Sequence, residues 1–293
     1  MTFCIDRYGL GVGKILVTGG SGFIGRQVTN ELRQMGHTPF VVARNPNSLD
    51  SGVEVRHTED LFSADKEELT RLLDGMDSVV HLAWHVDPFD YMHSDANWRC
   101  LIGSVNLALV SREMEIEHFT GIGTCLEYDQ RHSVCSPTTP LEPDSIYGAA
   151  KTSQLYALKG VFHGSKTALA WARPFFIYGE GENPERLVPH IRSQISQGSF
   201  PSLRSPTAIR DYLDVAEVGR RIAKIADLRL TGVHNICSGK PISVFELARG
   251  IALEMGREDL VEEGEASRLE SDNQKHDEIV GLPSAEIDRH LDS

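Results

Sequence analysis

The sequence predicts an α/β fold, a doubly wound parallel sheet covered by helices on both faces, followed by a smaller, mostly helical C-terminal lobe. Three observations carry this expectation. Short β-rich runs alternate with helical stretches from Lys14 to Arg173, a glycine-rich turn joins the first run to the first helix, and past Gly179 the alternation gives way to helices between Gly- and Pro-containing loops. Strictly alternating strands and helices call for parallel pairing with right-handed crossovers.

The elements follow in order. Lys14–Thr18 is the first strand and stops at Gly19-Gly20-Ser21-Gly22. From Phe23 to Met35 the apolar residues Ile24, Val28, Leu32 and Met35 recur at helical spacing, and Gly36 ends the helix. Phe40–Ala43 and Val53–Val55 read as the second and third strands, Asp65–Leu73 as a helix and Ser78–Ala83 as the fourth strand. A long helix spans about His93–Met114, and the fifth strand runs His118–Thr124. A helix over Tyr147–His163 and a strand over Leu169–Arg173 follow, then helices over Pro184–Gln197, Val215–Asp227 and Ser243–Met255. The expected division is 14–178 for the sheet domain and 179–293 for the lobe, with segments free to cross between them.

Bulk properties narrow the function. The 293 residues, 40% hydrophobic and 24% charged, suffice for a sizeable core. A formal charge of −13 disfavours nucleic acid and anionic membrane as partners, while leaving room for a local phosphate pocket. No apolar run reaches the ~18 residues that span a bilayer, and Met1 to Lys14 lack the layout of a secretion signal. Cys4, Cys100, Cys125, Cys135 and Cys237 are scattered, without a C-x-x-C pair, which suggests neither disulfides nor zinc. A cytoplasmic location is expected.

Gly19-Gly20-Ser21-Gly22-Phe23-Ile24-Gly25 sits between the first strand and the first helix. Glycine permits the tight turn that brings bare backbone N–H groups to a pyrophosphate at a helix N-terminus, and Gly25 permits close helix packing. The expectation is a Rossmann-like dinucleotide site. The second strand ends Ala43-Arg44-Asn45, with no acid for a ribose 2′-hydroxyl. Arg44 would suit a 2′-phosphate, so NADP(H) is favoured over NAD(H), unless Arg44 is a solvated surface residue. Asp60-Leu61 would lie near the adenine, or Asp60 would cap the following helix.

Tyr147 and Lys151 stand four apart at a helix start, on one face. A nearby ammonium stabilises a tyrosine phenolate and makes the pair a proton donor and acceptor. Thr124, at the end of the fifth strand, would offer a hydroxyl to the substrate oxygen, and the adjacent Cys125 reads as buried and inert.

On these residues the chain resembles the extended short-chain dehydrogenase/reductase family, in its NAD(P)-dependent sugar-nucleotide epimerase/dehydratase/reductase group. The resemblance covers Lys14 to Gly256. It rests on Val17-Thr18-Gly19-Gly20-Ser21-Gly22-Phe23-Ile24-Gly25, His81-Leu82-Ala83, Thr124 four residues before Tyr128, Tyr147-Gly148-Ala149-Ala150-Lys151, Arg173 to Gly179, and Arg210 to Val215. It implies that Thr124, Tyr147 and Lys151 are the catalytic set, with Tyr147 the acid–base and Lys151 also on the nicotinamide ribose. It further implies that Gly19, Gly22, Phe23, Ile24 and Gly25 hold the cofactor, with Ala83 and Trp84 beside it and Pro174 to Ile177 facing the nicotinamide. His85 would approach the substrate, and Arg210 its phosphates, or else anchor the lobe.

Two departures matter. The dehydratases of the family resemble one another in a Thr-Asp-Glu triplet where this chain has Thr124-Cys125-Leu126, which argues against water elimination. Trp84 replaces a usual alanine, and would either stack on a sugar pocket or pack against the following loop. His81, His85 and His93 match no zinc spacing, and no metal is expected. Arg186 and His190 would line the entrance or simply be exposed, and Glu262, Glu263 and Glu265 read as a solvated charge run. The expected activity is NADP(H)-dependent reduction of a keto sugar, a nucleotide-linked 4-keto-6-deoxy sugar. The alternatives are an epimerase with tightly bound NAD and a non-catalytic NADP-binding regulator. A homodimer through helices His93–Met114 and Tyr147–His163 is compatible with the resemblance.

Overall fold

A computed structural model describes residues 12–45, 52–260 and 278–291. Cys4 and the Glu262, Glu263 and Glu265 run lie outside the described residues. The strands are β1 (Lys14–Thr18), β2 (Thr38–Ala43), β3 (Glu54–His57), β4 (Ser78–His81), β5 (His118–Ile122), β6 (Val134–Cys135), β7 (Ala168–Pro174), β8 (Phe176–Tyr178), β9 (Ile209–Asp214), β10 (Gly232–Ile236), β11 (Pro241–Ser243) and β12 (Glu278–Gly281). The helices are α1 (Phe23–Gln34), α2 (Lys66–Leu73), α3 (Ala96–Glu113), α4 (Ile146–Phe162), α5 (Leu187–Ser196), α6 (Val215–Asp227), α7 (Val244–Glu254) and α8 (Ala285–Leu291).

The main sheet has seven strands in the order β10-β7-β5-β4-β1-β2-β3. All its pairings are parallel. Both faces are buried, as a parallel sheet requires. In β1, Ile15 and Val17 pack towards Val28 and Leu32 of α1 and Val218 and Ile222 of α6. Leu16 between them faces Leu69 and Leu72 of α2, Leu107 of α3 and Leu155 of α4. Alternation along one strand thus serves two helical layers. The strand order reverses between β1 and β4, and it is at the carboxyl ends of the strands flanking such a switch point that doubly wound sheets bind ligands.

Beyond Gly179 the chain moves between two places. β10 pairs with β7 and becomes the sheet's edge, and α6 shares a core with α1. Helix α8 joins the same core through Ile287, and the remainder builds a lobe whose apolar centre, Val188, Ile191 and Ile195 of α5 against Phe245, Ala248 and Ile251 of α7, is helical as expected. This lobe also carries short strands: β11-β9-β12-β6 form a second sheet, and β8 joins it on β9. Asp211 of β9 is fully buried and ties these pieces together. Its carboxylate accepts from Ser238 N (2.7 Å), Ser238 Oγ (2.6 Å), Gly239 N (2.8 Å) and Gly281 N (3.2 Å).

Candidate active site

The glycine turn is folded against the exit of β4. Gly19 has φ +72°, open to glycine at little cost, and a Cβ there would stand 2.7 Å from Ala83 N. A Cβ on Gly25 would collide with Gly19 O, so the first turn of α1 lies directly on the loop. Helices α2, α4, α6 and α7 begin with a side-chain cap from Asp65, Ser145, Asp214 and Ser243. Helix α1, which follows Gly22, has no side-chain cap and no acid in its first turn, a state it shares with α3 and α5. Its N–H groups and positive dipole end are left for an anion, which fits a dinucleotide pyrophosphate. Phe23 and Ile24 flank that turn, partly buried, and a Cβ on Gly181, after β8, would stand 3.9 Å from the edge of the Phe23 ring.

Arg44 is exposed at the end of β2. Asp60 caps the turn Leu61–Ser63, accepting from Phe62 N at 3.2 Å, and is also ion-paired with Arg99 of α3. Leu61 is buried in the core among Leu69 and Leu107.

The exit of β4 is held by a directed hydrogen-bond chain. Ser104 Oγ donates to Cys100 O (2.7 Å), so it accepts from His81 Nε2–H (2.7 Å). His81 Nδ1 is then the acceptor for Thr18 Oγ (2.7 Å), which itself accepts from Ala83 N (3.2 Å). Burial and the charge of Lys151 push His81 down to about 3, so it stays neutral and serves as a spacer that fixes Ala83.

The catalytic candidates converge at the ends of β5 and α4. Thr124 N-caps a short turn over Cys125–Glu127, its hydroxyl accepting from Leu126 N at 3.3 Å. Tyr147 and Lys151 occupy the first turns of α4, which Ser145 caps through Gly148 N. Burial and the neighbouring Tyr91 push the Tyr147 hydroxyl well above its ordinary range, while a hydrogen bond with Thr124 pulls it down. The Tyr91 ring meets the Tyr147 ring edge-on at 5.1 Å, and Tyr147 N donates to Met92 O at 3.1 Å. Lys151 is buried, its Nζ donating to Ile122 O at 2.8 Å. Burial lowers it to about 7, against the opposing charge of Glu127. Its ammonium stands 3.6 Å from the Trp84 ring centroid, so the side chain that local spacing paired with Tyr147 is committed to Ile122 and Trp84.

Sequence reasoning does not single out Glu127. Its side chain is fully buried and forms an ion pair with Arg173 (Nε to Oε2, 2.8 Å). It also accepts from Thr124 N (2.8 Å) and from Trp171 Nε1 (3.2 Å). Arg173 continues to Tyr128 Oη (2.9 Å), and Tyr128 donates to Asn235 Oδ1 (2.6 Å). Asn235 Nδ2 donates to Cys135 O (2.9 Å), which joins the turn after β5 to β6 and β10.

Of the remaining candidates, Pro174 ends β7 and Ile177 lies within β8, on the strap leading to the lobe. His85 sits on the loop after β4, paired with Asp90 at 2.7 Å. The Arg210 guanidinium stacks over Phe176 at 5.3 Å and is close enough to Cys125 to oppose the burial that lifts that thiol to about 12. Arg186 lies over the Tyr91 ring at 5.2 Å, one aromatic ring away from Tyr147; His190 is exposed.

The family model of the NAD dependent epimerase/dehydratase family matches residues 15–237. A dTDP-6-deoxy-L-talose 4-dehydrogenase (NAD(+)) of Aggregatibacter actinomycetemcomitans is 25% identical over 243 residues, covering 78% of this chain and 86% of the relative. A dTDP-glucose 4,6-dehydratase of Streptomyces griseus is 29% identical over 295 residues, covering 94% and 88%. Among solved structures, MoeE5 in complex with UDP-glucuronic acid and NAD superposes with a TM-score of 0.72 at 25% identity, over 83% of each chain. The Thermus thermophilus UDP-glucose 4-epimerase complex with NAD shares the fold, with a TM-score of 0.74 at 20% identity over 95% and 93%.

Proposed function

The chain belongs to the NAD dependent epimerase/dehydratase family, and we propose that it reduces the keto carbon of a nucleotide-linked 4-keto-6-deoxy sugar with NADP(H). The observation that carries this reading is the state of the acid at the end of β5. Glu127, the carboxylate of that turn, is directed inward onto Arg173 and Trp171. Thr124 is followed by Cys125 and Leu126, neither of which can abstract a proton for water elimination as a carboxylate would. Carbonyl reduction or its reverse is what the site is equipped to do.

The chain's own groups take defined parts. The open N-terminus of α1 would hold the pyrophosphate, and Lys151 a ribose hydroxyl. When bound, the nicotinamide supplies the hydride. Thr124 Oγ would hydrogen-bond the substrate oxygen and orient it towards Tyr147. A Tyr147 hydroxyl raised above its ordinary range is protonated at neutral pH. Although burial makes it a weaker acid than a free tyrosine, it can still protonate a developing alkoxide, whose conjugate acid is weaker again, as reduction requires. Arg44 at the end of β2, followed by Asn45 rather than an acid, supports NADP(H).

The relatives favour a second reading on one point. The talose dehydrogenase is a NAD(+) enzyme and MoeE5 is seen in complex with NAD, which supports NAD(H), either exchangeable or held tightly as in an internally recycling epimerase. The convergence of Thr124, Tyr147 and Lys151 where β5 ends and α4 begins speaks for catalysis rather than for a binding-only regulator. The deciding experiment is to denature the purified protein and identify any released nucleotide, then to titrate NADPH and NADH into the emptied protein. Release of non-exchanging NAD would overturn the reductase in favour of the epimerase. Tighter binding of NADPH, with oxidation on adding a keto-sugar nucleotide, is the expected result.

A homodimer is also proposed. Helices α3 and α4 pack together and expose Trp98, Ile102 and Tyr156, large apolar side chains of the kind that mark protein–protein contacts.

A further inference from the structure

The loop between β4 and α3 presents an aromatic ring to each catalytic side chain of α4. Tyr91 meets Tyr147 at 5.1 Å, and Trp84 covers the Lys151 ammonium at 3.6 Å. Both rings depend on one residue. Asn97, fully buried in the first turn of α3, accepts from Trp84 Nε1 at 2.8 Å and donates to Tyr91 O (2.6 Å) and Ser94 O (2.8 Å). With its N–H pinned, the indole has little freedom to turn, and its negative π-face is held on a cation.

We propose that Trp84 is the positioning residue of Lys151: its indole face, pinned through Asn97, holds the ammonium against Ile122 O and leaves one N–H direction for a ligand hydroxyl. An ammonium has three donors. Ile122 O takes one and the ring face a second direction, so the third is aimed rather than free to rotate. The identity of that hydroxyl, a nicotinamide ribose, rests on the function proposed above; the placement of the ammonium does not.

The same contact bears on charge. Lys151 is lowered to about 7 by burial, and the titratable groups around it are Glu127 from the turn after β5, Cys100 from α3 and His81 from β4. Of these three, Glu127 brings the opposite charge. The Trp84 face, at van der Waals distance, is the second element that favours the ammonium over the neutral amine.

The test is made on protein carrying 13C-labelled lysine, with Lys151 assigned by loss of its signal in Lys151→Arg. In the wild type, the Lys151 ε-protons are shifted upfield by the indole ring current, and the 13Cε titration has its midpoint near 7. Trp84→Phe keeps a π-face but loses the N–H that Asn97 pins, so the upfield shift weakens while the midpoint stays above that of Trp84→Leu. Trp84→Leu keeps apolar bulk without the π-face. It loses the upfield shift, and its midpoint falls by about one pH unit, a tenfold change. Trp84→Met replaces it if Leu disturbs the circular dichroism spectrum. An unchanged midpoint and ε-proton shift in Trp84→Leu would overturn the proposal. These readouts need neither cofactor nor turnover. If no sugar nucleotide is ever reduced while Trp84→Leu shows the shift, the proposed function falls and this placement stands. If the wild type reduces its substrate and Trp84→Leu matches it in both signatures, the placement alone falls.

Discussion

Replacing Glu127 by Gln tests whether the end of β5, with Thr124, is held by a buried ion pair. The carboxylate receives Arg173 Nε at 2.8 Å, Thr124 N at 2.8 Å and Trp171 Nε1 at 3.2 Å, with the side chains of Glu127 and Arg173 at 0% and 1% exposure. Glutamine keeps one oxygen for Thr124 and Trp171 but sets an amide N–H2 against the guanidinium. The Arg173 charge then lies buried without its counter-ion. Breaking such a pair from one side costs about 3–5 kcal/mol, which lowers the melting temperature by roughly 10 °C for a chain of this size. The double variant Glu127→Gln, Arg173→Met removes the charge from both sides and recovers about 2 kcal/mol or more of that loss. The assay is urea unfolding followed by circular dichroism on the wild type, both single variants and the double variant. A loss below about 1 kcal/mol for Glu127→Gln, or strict additivity in the double variant, would refute the claim that this pair fixes the strand end.

Other outcomes follow from the same structure. Gly25→Ala drives a methyl group into Gly19 O, so it should lower stability by about 1–3 kcal/mol and weaken NADPH binding at least tenfold in a calorimetric titration, whereas a wild-type affinity would exclude a cofactor role for this turn. His81 is lowered to about 3 from 6.5. The unfolded chain therefore binds the extra proton first, and stability should fall as pH drops from about 6.5 towards 3, with a smaller loss over that window in His81→Asn. Lys151 loses its proton as pH rises through about 7, so NADPH affinity should decline across pH 6 to 8 in the wild type and lose that slope in Lys151→Arg. Ile102→Glu with Tyr156→Glu places charge on the exposed α3 and α4 faces and should halve the mass measured by light scattering; a wild-type monomer would rule out the dimer.

The sequence is readable where a local pattern and its tertiary use coincide. The first strand, the glycine turn and the helix after it appear where spacing places them, because a doubly buried strand is apolar throughout and a tight turn needs glycine. Helix Val215–Asp227 matches its expected limits. Strand β10 escapes a pattern reading because two of its residues, His234 and Asn235, are polar yet buried. Their partners, Ser284 and Thr231 for one and Tyr128 and Cys135 for the other, are mostly remote in sequence. The lobe's short strands escape for a similar reason: Arg210 and Asp211 look like turn residues until Ser238, Gly239 and Gly281 arrive to satisfy the aspartate. Glu127 looks like a surface acid, although a lone charge at Arg173 within the apolar run of β7 is a usable signal that a buried counter-ion exists. For Trp84 the sequence allows either a sugar pocket or packing against its own loop. The structure joins it to that loop through Asn97 and lays its face on Lys151, a contact no spacing rule relates.

The measurement closest to the central claim is isotope transfer. NADPH carrying deuterium at the transferring position of C4 is incubated with the protein and a dTDP-linked 4-keto-6-deoxy sugar, and the product is analysed by mass spectrometry. The account predicts one deuterium gained at the former keto carbon by the wild type. It also predicts a loss of at least ~100-fold in rate for Tyr147→Phe with cofactor affinity kept. Deuterium transfer that is undiminished in Tyr147→Phe, or no transfer by a wild type that binds both ligands, would contradict it.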